Sequence, residues 1–227
     1  MVNFQHTIGV LALQGAFEEH IDIINQLGDI KAVAVRTEAQ LQNVDALILP
    51  GGESTAMALI AERNQLFEPL RQFVKTKPVW GTCAGLILLA DEANQVKKGG
   101  QELIGGLHIT VNRNQFGSQV QSFEADLEVP CLAQVSKVKG SNSPYRCMFI
   151  RAPVILEVDR KEGVEVLSTI DYHNQYTEEG KALGIKEFIV AVQQKHILGT
   201  SFHPELTKDY RWHQYFVKMV KEFYTAK

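Results

Sequence analysis

Cysteine is scarce in this chain, with three residues in 227, at positions 83, 131 and 147. They are widely separated, show no metal-ligand spacing and cannot all pair with one another within one chain. We therefore expect free thiols, a reducing compartment, and neither a metal site nor a bound cofactor.

Long apolar runs and an excess of one charge are also missing. No run is long enough to span a bilayer, and residues 1–6 lead directly into a strand without a basic segment and an apolar leader. These features predict a cytoplasmic protein without a membrane partner. The 23 basic and 26 acidic residues give a net charge of −3, which argues against a nucleic-acid partner.

The composition is that of a globular protein, with 45% hydrophobic and 22% charged residues. A chain of this length can bury a sizeable core as one domain. We find no internal repeat, linker or low-complexity tract that would mark a boundary. The sequence therefore predicts a single domain over residues 1–227.

The first half of the chain alternates strands with helices. Nearly continuous apolar runs at 7–13, 31–35 and 44–49 are typical of strands covered on both faces. The stripe Phe17, Ile21, Ile24 and Leu27, ended by Gly28, predicts a helix between the first two. Capping-box spacing at 37–40 predicts a short second helix. This alternation predicts an α/β fold with a mostly parallel central sheet flanked by helices.

Helices become scarce after residue 88, and strand-like segments follow near 105–111, 120–129 and 147–158. We interpret them as a smaller antiparallel extension of the same sheet-based domain. Polar segments at 133–146 and 171–181 predict exposed loops. A helical stripe at Trp212, Tyr215, Phe216, Met219, Val220 and Phe223 predicts a closing helix that packs on the core.

The stretch 78–90 predicts a buried strand, a sharp turn at Cys83 and an apolar helix. Gly81 and Gly85 flank the cysteine with the spacing of a nucleophile elbow, in which small neighbours allow the tight bend. The start of a helix also favours the thiolate. The alternative is a cysteine that serves only as a small core residue.

The third predicted strand ends in Pro50-Gly51-Gly52-Glu53-Ser54-Thr55. Two adjacent glycines can bring bare N–H groups close to a ligand, as an oxyanion hole requires. The alternative is a plain turn with Ser54 or Thr55 as a helix cap. Because ligands bind beyond the carboxyl ends of strands in such sheets, this loop and the Cys83 turn should lie together.

A buried strand near 197–202 leads into His203-Pro204-Glu205. Proline biases His203 toward an extended backbone, in which residues two apart project to the same side, so Glu205 should orient the His203 ring. The remaining histidines have no comparable partner in the sequence, and we expect them at the surface: His6, His20, His108, His173, His196 and His213.

The three motifs together resemble class I, triad-type glutamine amidotransferases with a flavodoxin-like fold. A nearer resemblance is to the glutaminase subunits of pyridoxal 5′-phosphate synthases. It rests on blocks that run nearly end to end, at residues 11–17, 113–117, 122–126, 149–153 and 201–206.

The resemblance implies hydrolysis of L-glutamine to glutamate and ammonia by a Cys83, His203 and Glu205 triad. It implies an oxyanion hole at Gly51, Gly52 and Ala84, and glutamine-binding residues at Gly52, Glu53, Ser54, Arg113, Ile150 and Arg151. Either arginine could instead be a surface ion-pair residue.

The implied partner is a (β/α)₈ synthase subunit that receives the ammonia, in a large hetero-oligomer. We expect the partner to activate the glutaminase, because a peptide between two glycines can turn either its carbonyl or its N–H toward the substrate. Gln14 should lie at the same edge and couple the partner to this loop.

Two departures bear on docking rather than on the triad. The loops at 133–146 and 171–181 are longer than in compact family members, and Ser118 stands where the family usually has a basic residue. Three alternatives stay open: the glutaminase of another amidotransferase, such as imidazole-glycerol-phosphate synthase, a catalytically idle regulatory subunit, and a stand-alone thiol hydrolase.

Overall fold

A computed structural model describes residues 6–28, 30–94, 101–113, 122–135, 143–171 and 187–226. Its strands are β1 Thr7–Leu11, β2 Lys31–Val35, β3 Ala46–Leu49, β4 Val79–Thr82, β5 Ala90–Asn94, β6 Leu107–Asn112, β7 Ser122–Leu127, β8 Tyr145–Ile150, β9 Val154–Val158, β10 Val164–Asp171, β11 Glu187–Gln194 and β12 Ile197–Thr200. Its α-helices are α1 Phe17–Leu27, α2 Glu38–Gln42, α3 Ser54–Arg63, α4 Phe67–Thr76, α5 Ala84–Leu89 and α6 Arg211–Thr225.

The main sheet has the order β2-β1-β3-β4-β12-β11-β9-β6-β5, and β10 also pairs with β11. The five strands β2, β1, β3, β4 and β12 are parallel to one another. Next to them, β11 is antiparallel to β12, and β9 is antiparallel to β11. A separate antiparallel pair is formed by β7 and β8. The predicted fold class, a mostly parallel sheet with helices and an antiparallel extension, is confirmed.

Helices cover both faces of the parallel strands. In β3, Leu47 and Leu49 belong to a core cluster that includes Met57 of α3, while Ile48 belongs to a second cluster with Trp212 of α6. Every residue of β3, β4 and β12 is buried. Two-sided burial explains why these strands read as continuous apolar runs.

Helix ends follow the expected local chemistry with one exception. Gly28 adopts the left-handed conformation that ends α1, and the Thr37 side chain accepts the N–H of Gln40 at the start of α2. At α3 the cap is neither Ser54 nor Thr55. The Glu53 carboxylate accepts the first-turn N–H groups instead. No helix in the described part of the chain is long and apolar enough to cross a membrane.

Several strand predictions need correction. The segment 147–158 is divided into β8 and β9, because Arg151 has a φ of 42° and Pro153 has no N–H to donate to a ladder. The strands β5, β10 and β11 were not predicted. The β5 sequence is largely polar because it lies at a sheet edge, so it carries no apolar signal.

The two predicted loops are only partly described. Within 133–146, Gln134 ends a 3₁₀ turn, and β8 begins at Tyr145. Asp171 is the last residue of β10. The predictions for 136–142 and 172–181, and for Ser118 and His173, fall outside the described residues.

Candidate active site

Cys83 occupies a sharp turn between β4 and α5, with φ 47° and ψ −102°. A non-glycine residue at positive φ is strained, and the strain is held here by packing. A Cβ on Gly85 would lie 2.0 Å from the Leu49 carbonyl oxygen, and one on Gly81 would lie 2.6 Å from the Gly85 carbonyl. Both flanking glycines are therefore required for α5 to fold back onto the sheet.

His203 follows β12, the strand that pairs with β4 in the sheet. Its backbone N–H donates to the Met148 carbonyl at 2.8 Å, which joins it to β8. Its Nδ1 lies 2.7 Å from Oε1 of Glu205. The predicted contact is present, but the predicted path was wrong, since Pro204–Leu206 form a 3₁₀ turn rather than an extended chain.

The electrostatics of the His203 ring favour its charged form. Burial alone would lower its pKa, but hydrogen bonds to Cys83 and Glu205 outweigh burial and raise the pKa to about 10. Burial would likewise raise the pKa of Glu205, and the His203 hydrogen bond lowers it instead. At neutral pH the site therefore contains an imidazolium between a carboxylate and the cysteine sulfur.

The surface expectation for the other histidines was wrong for His20 and His213, which are both fully buried. Nε2 of His20 lies 3.5 Å from Oε2 of Glu205, and its Nδ1 lies 2.9 Å from Nε2 of His213. His108 also has a carboxylate partner, with Nδ1 2.5 Å from Oδ2 of Asp91, but it lies on an exposed edge away from Cys83.

The Gly51-Gly52 loop packs directly against the triad residues. A Cβ on Gly51 would lie 2.4 Å from Cε1 of His203. The Gly51 carbonyl accepts the Ala16 N–H at 3.0 Å. Because the peptide is trans, the Gly52 N–H points the opposite way, away from Ala16.

Gln14 reaches the same loop, as predicted. Its Oε1 accepts the Glu53 backbone N–H at 2.7 Å. A Cβ on Gly52 would lie 2.4 Å from that same oxygen, so the side chain of Gln14 and the glycine loop are in close contact. A movement of Gln14 would therefore also displace the loop.

Arg113 follows β6 and extends over the start of α3. It donates to the hydroxyls of Ser54 at 2.8 Å and Thr55 at 3.0 Å, and its guanidinium lies 3.7 Å from a Glu53 carboxylate oxygen. The side chain is only 16% exposed, unlike that of a surface ion-pair residue. Burial opposes the charge on Glu53, but N–H groups from Thr55 and Ala56 lower its pKa and keep it ionised.

Ile150 and Arg151 form the other rim. The Ile150 carbonyl lies 4.0 Å from the Cys83 sulfur, and Ile150 is 36% exposed at the end of β8. Arg151 is exposed, and its positive φ turns the chain there.

A pocket of about 330 Å³ brings most of the predicted residues together, a volume within the range of small-molecule sites. Its lining is Gln14, Gly52, Glu53, Ser54, Cys83, Ala84, Ile87, Arg113, Ile150, Arg151 and His203. Gly51 and Glu205 lie behind this surface. Gly51 packs against the His203 ring, and Glu205 is hydrogen-bonded to it. Among the described residues, no group of His, Cys, Asp and Glu is arranged to hold a metal ion.

Sequence reasoning missed Gln101 and the two buried histidines. Gln101 Oε1 accepts the Ser54 hydroxyl at 3.1 Å and so supports the groups that bind Arg113. The burial of His20 could have been inferred from its helical spacing, because it lies three and four residues before Ile23 and Ile24, the other buried residues of α1.

A model of the SNO glutamine amidotransferase family matches residues 10–222. The chain belongs to this family. It is 54% identical to a probable pyridoxal 5′-phosphate synthase subunit PDX2 of Arabidopsis thaliana over 95% of this chain and 86% of that protein. It is 44% identical to the pyridoxal 5′-phosphate synthase subunit PdxT of Bacillus pumilus over 96% of this chain and 97% of that protein.

Two solved structures are similar to the chain. A glutamine amidotransferase crystal structure matches with a TM-score of 0.76 and 39% identity, covering 94% of this chain and 98% of that one. PurLQS from Thermotoga maritima matches with a TM-score of 0.61 at 15% identity, covering 96% and 98%, which is a likeness of fold alone.

Proposed function

We propose that this amidotransferase is the glutaminase subunit of a pyridoxal 5′-phosphate synthase. It hydrolyses L-glutamine to glutamate and ammonia and passes the ammonia to a synthase subunit. The names of the relatives support the pathway. The observation that carries the chemistry is that His203, bonded to Glu205 at 2.7 Å, lines the same pocket as Cys83, and that this pocket has a suitable size.

In the first half-reaction, the Cys83 thiolate adds to the side-chain amide carbon of glutamine. The oxyanion that forms is held by backbone N–H groups of Gly52 and Ala84, where the loss of one donor costs roughly a hundredfold in rate. The His203 imidazolium gives its proton to the departing nitrogen. The C–N bond breaks, ammonia leaves, and a thioester to Cys83 remains.

In the second half-reaction, neutral His203 takes a proton from water, and the hydroxide adds to the thioester carbon. The C–S bond breaks and the Cys83 thiolate leaves, next to a His203 ring that is charged again. Glu205 supports this charge at both stages through its 2.7 Å contact with Nδ1. The raised pKa of His203 supports a charged ring before the substrate binds.

Glutamine is held by its α-carboxylate and α-amino groups at the pocket rim. The guanidinium groups of Arg113 and Arg151 suit the carboxylate, and Glu53 suits the ammonium. The Ser54 hydroxyl and the Gly52 and Ile150 backbone complete the lining. Arg113 is held ready by its hydroxyl contacts, so little side-chain entropy is lost when the substrate binds.

The synthase partner is a (β/α)₈ subunit in a large hetero-oligomer, and it docks over the pocket mouth. Gln14 transmits docking to the oxyanion loop through its contact with the Glu53 N–H. The setting is cytoplasmic, which is supported by Cys83, Cys131 and Cys147 all being free thiols.

The test mixes the chain with a pyridoxal 5′-phosphate synthase subunit and its sugar-phosphate substrates. We expect glutamine to support pyridoxal 5′-phosphate formation only when this chain is present, whereas ammonium salt supports it without the chain. Glutamate should appear faster in the complex than with this chain alone. Failure of glutamine to replace ammonium would contradict the proposal.

A further inference from the structure

Two buried histidines outside the three motifs lie behind the triad. His20 comes from α1 and His213 from α6, and neither side chain is exposed to solvent. Their contacts form a line from His213 Nε2 to His20 Nδ1 at 2.9 Å, and from His20 Nε2 to Glu205 Oε2 at 3.5 Å. The second Glu205 oxygen therefore faces an imidazole, while the first binds His203.

Only one arrangement of the ring protons of His20 and His213 is compatible with both contacts. If His20 donated through Nδ1 to His213, its Nε2 lone pair would face the Glu205 carboxylate, which is repulsive. If His213 Nε2 donates to His20 Nδ1, the single proton of His20 is on Nε2 and points at the carboxylate oxygen. The second arrangement satisfies both contacts with neutral rings.

The surroundings make this donor important. Among the described residues, Glu205 Oε2 and His20 Nε2 are both buried, and neither has a hydrogen-bond partner within normal geometry; at 3.5 Å, each is the other's polar neighbour. A buried carboxylate oxygen without a donor is costly, so even a long contact is valuable.

Trp80 closes the space around the pair. Its ring meets His20 edge-on at 5.6 Å and His213 edge-on at 5.1 Å between ring centres. It is itself anchored by an Nε1–H bond to the Thr200 hydroxyl at 3.1 Å. The histidines are thus fixed in position by the strands that carry the nucleophile and the catalytic histidine.

We propose that His20 is a positioning residue for the amidotransferase reaction, donating from Nε2 to Oε2 of Glu205 so that the carboxylate stays aligned on His203, with His213 fixing the tautomer. This inference rests on the proposed function. Burial lowers the pKa of His20 and of His213, in agreement with two neutral rings.

The test compares three substitutions in the complex with the synthase subunit. His20→Leu removes the donor, His20→Asn leaves an amide too short to reach Glu205, and His20→Gln places an amide N–H near the position of Nε2. We expect kcat to fall about tenfold for Leu and Asn with KM within about twofold, and to stay within about threefold of wild type for Gln.

Ile24→Ala is the matched control, because Ile24 is a fully buried residue one turn along the same helix. It should lower the melting temperature without lowering kcat. Folded Asn and Gln variants with equal kcat, or a Leu variant with wild-type kcat, would overturn the inference. If the wild-type complex releases no ammonia, the proposed function fails instead, so the two failures are distinguishable.

Discussion

Nδ1 of His203 lies 2.7 Å from Oε1 of Glu205 across a 3₁₀ turn that begins at Pro204. The turn lets one buried carboxylate contact His203 with one oxygen and face His20 with the other. Glu205 thus links the pocket to the core between α1 and α6. Mutations at Glu205 and its neighbours can therefore distinguish effects on activity from effects on packing.

Glu205→Gln should lower kcat on the order of a hundredfold and leave KM nearly unchanged. The amide keeps the shape of the side chain but cannot support the charge on His203 or fix its tautomer. Steady-state glutaminase kinetics in the synthase complex measure this. The control is Glu222→Gln, an exposed α6 residue paired only with Lys218 among its described contacts. Wild-type kcat would remove Glu205 from the triad.

The stability of the protein should fall between neutral and alkaline pH because of His203. Its folded pKa, about 10, is above the unfolded value of 6.5, so the charged ring stabilises the fold fully below pH 6.5. That contribution is lost as the pH rises through about 10. The groups that face the ring are Cys83, Glu205 and His20.

Urea unfolding at pH 7 and pH 10 measures this effect, with His203→Gln as the reference. We expect wild type to lose at least about 1 kcal/mol more than the variant over this interval, since other ionisations cancel in the comparison. Equal losses would mean that the ring is neutral in the folded state.

Arg113→Ala should lower kcat/KM by a factor that corresponds to about 2–3 kcal/mol. It removes a cation for the substrate carboxylate and also frees the Ser54 and Thr55 hydroxyls. The control is Arg71→Ala, which removes a partly exposed guanidinium paired with Glu102. Unchanged kinetics with glutamine would assign Arg113 a structural role alone.

Gln14→Ala should reduce activation by the synthase more than it reduces basal activity. The substitution removes the acceptor for the Glu53 N–H and loosens the loop that carries Gly52. Glutamate release with and without the partner gives the ratio. Gln72→Ala on α4 is the control, because its amide bonds only to Glu68 on the same helix in the described structure. An activation ratio equal to that of wild type would contradict coupling through Gln14.

The parallel half of the fold was predictable because its signals are local. Strands buried on both faces are continuous apolar runs, and Gly28 ends α1 at the predicted residue. The edge strand β5 was not predictable in this way, since its polar side chains meet solvent. The split between β8 and β9 depends on the backbone of Arg151, which composition does not reveal.

The candidate site was predictable where its residues adjoin glycine or proline in short motifs. Cys83 and His203 were found in this way. His20 was not, because a lone histidine on a helix has no local sign of the carboxylate that it meets 185 positions later in the chain. Its periodicity with Ile23 and Ile24 indicated burial but not its partner.

Removal of the nucleophile is the most direct test of the central claim. Ammonia release from glutamine is measured for wild type, Cys83→Ala and Cys131→Ala, each with the synthase subunit. Cys131 is the control because it lies outside the pocket and burial raises its pKa to about 11. We predict that Cys83→Ala releases no ammonia above background while it still binds the synthase, and that Cys131→Ala matches wild type. Substantial ammonia release by Cys83→Ala would contradict the account.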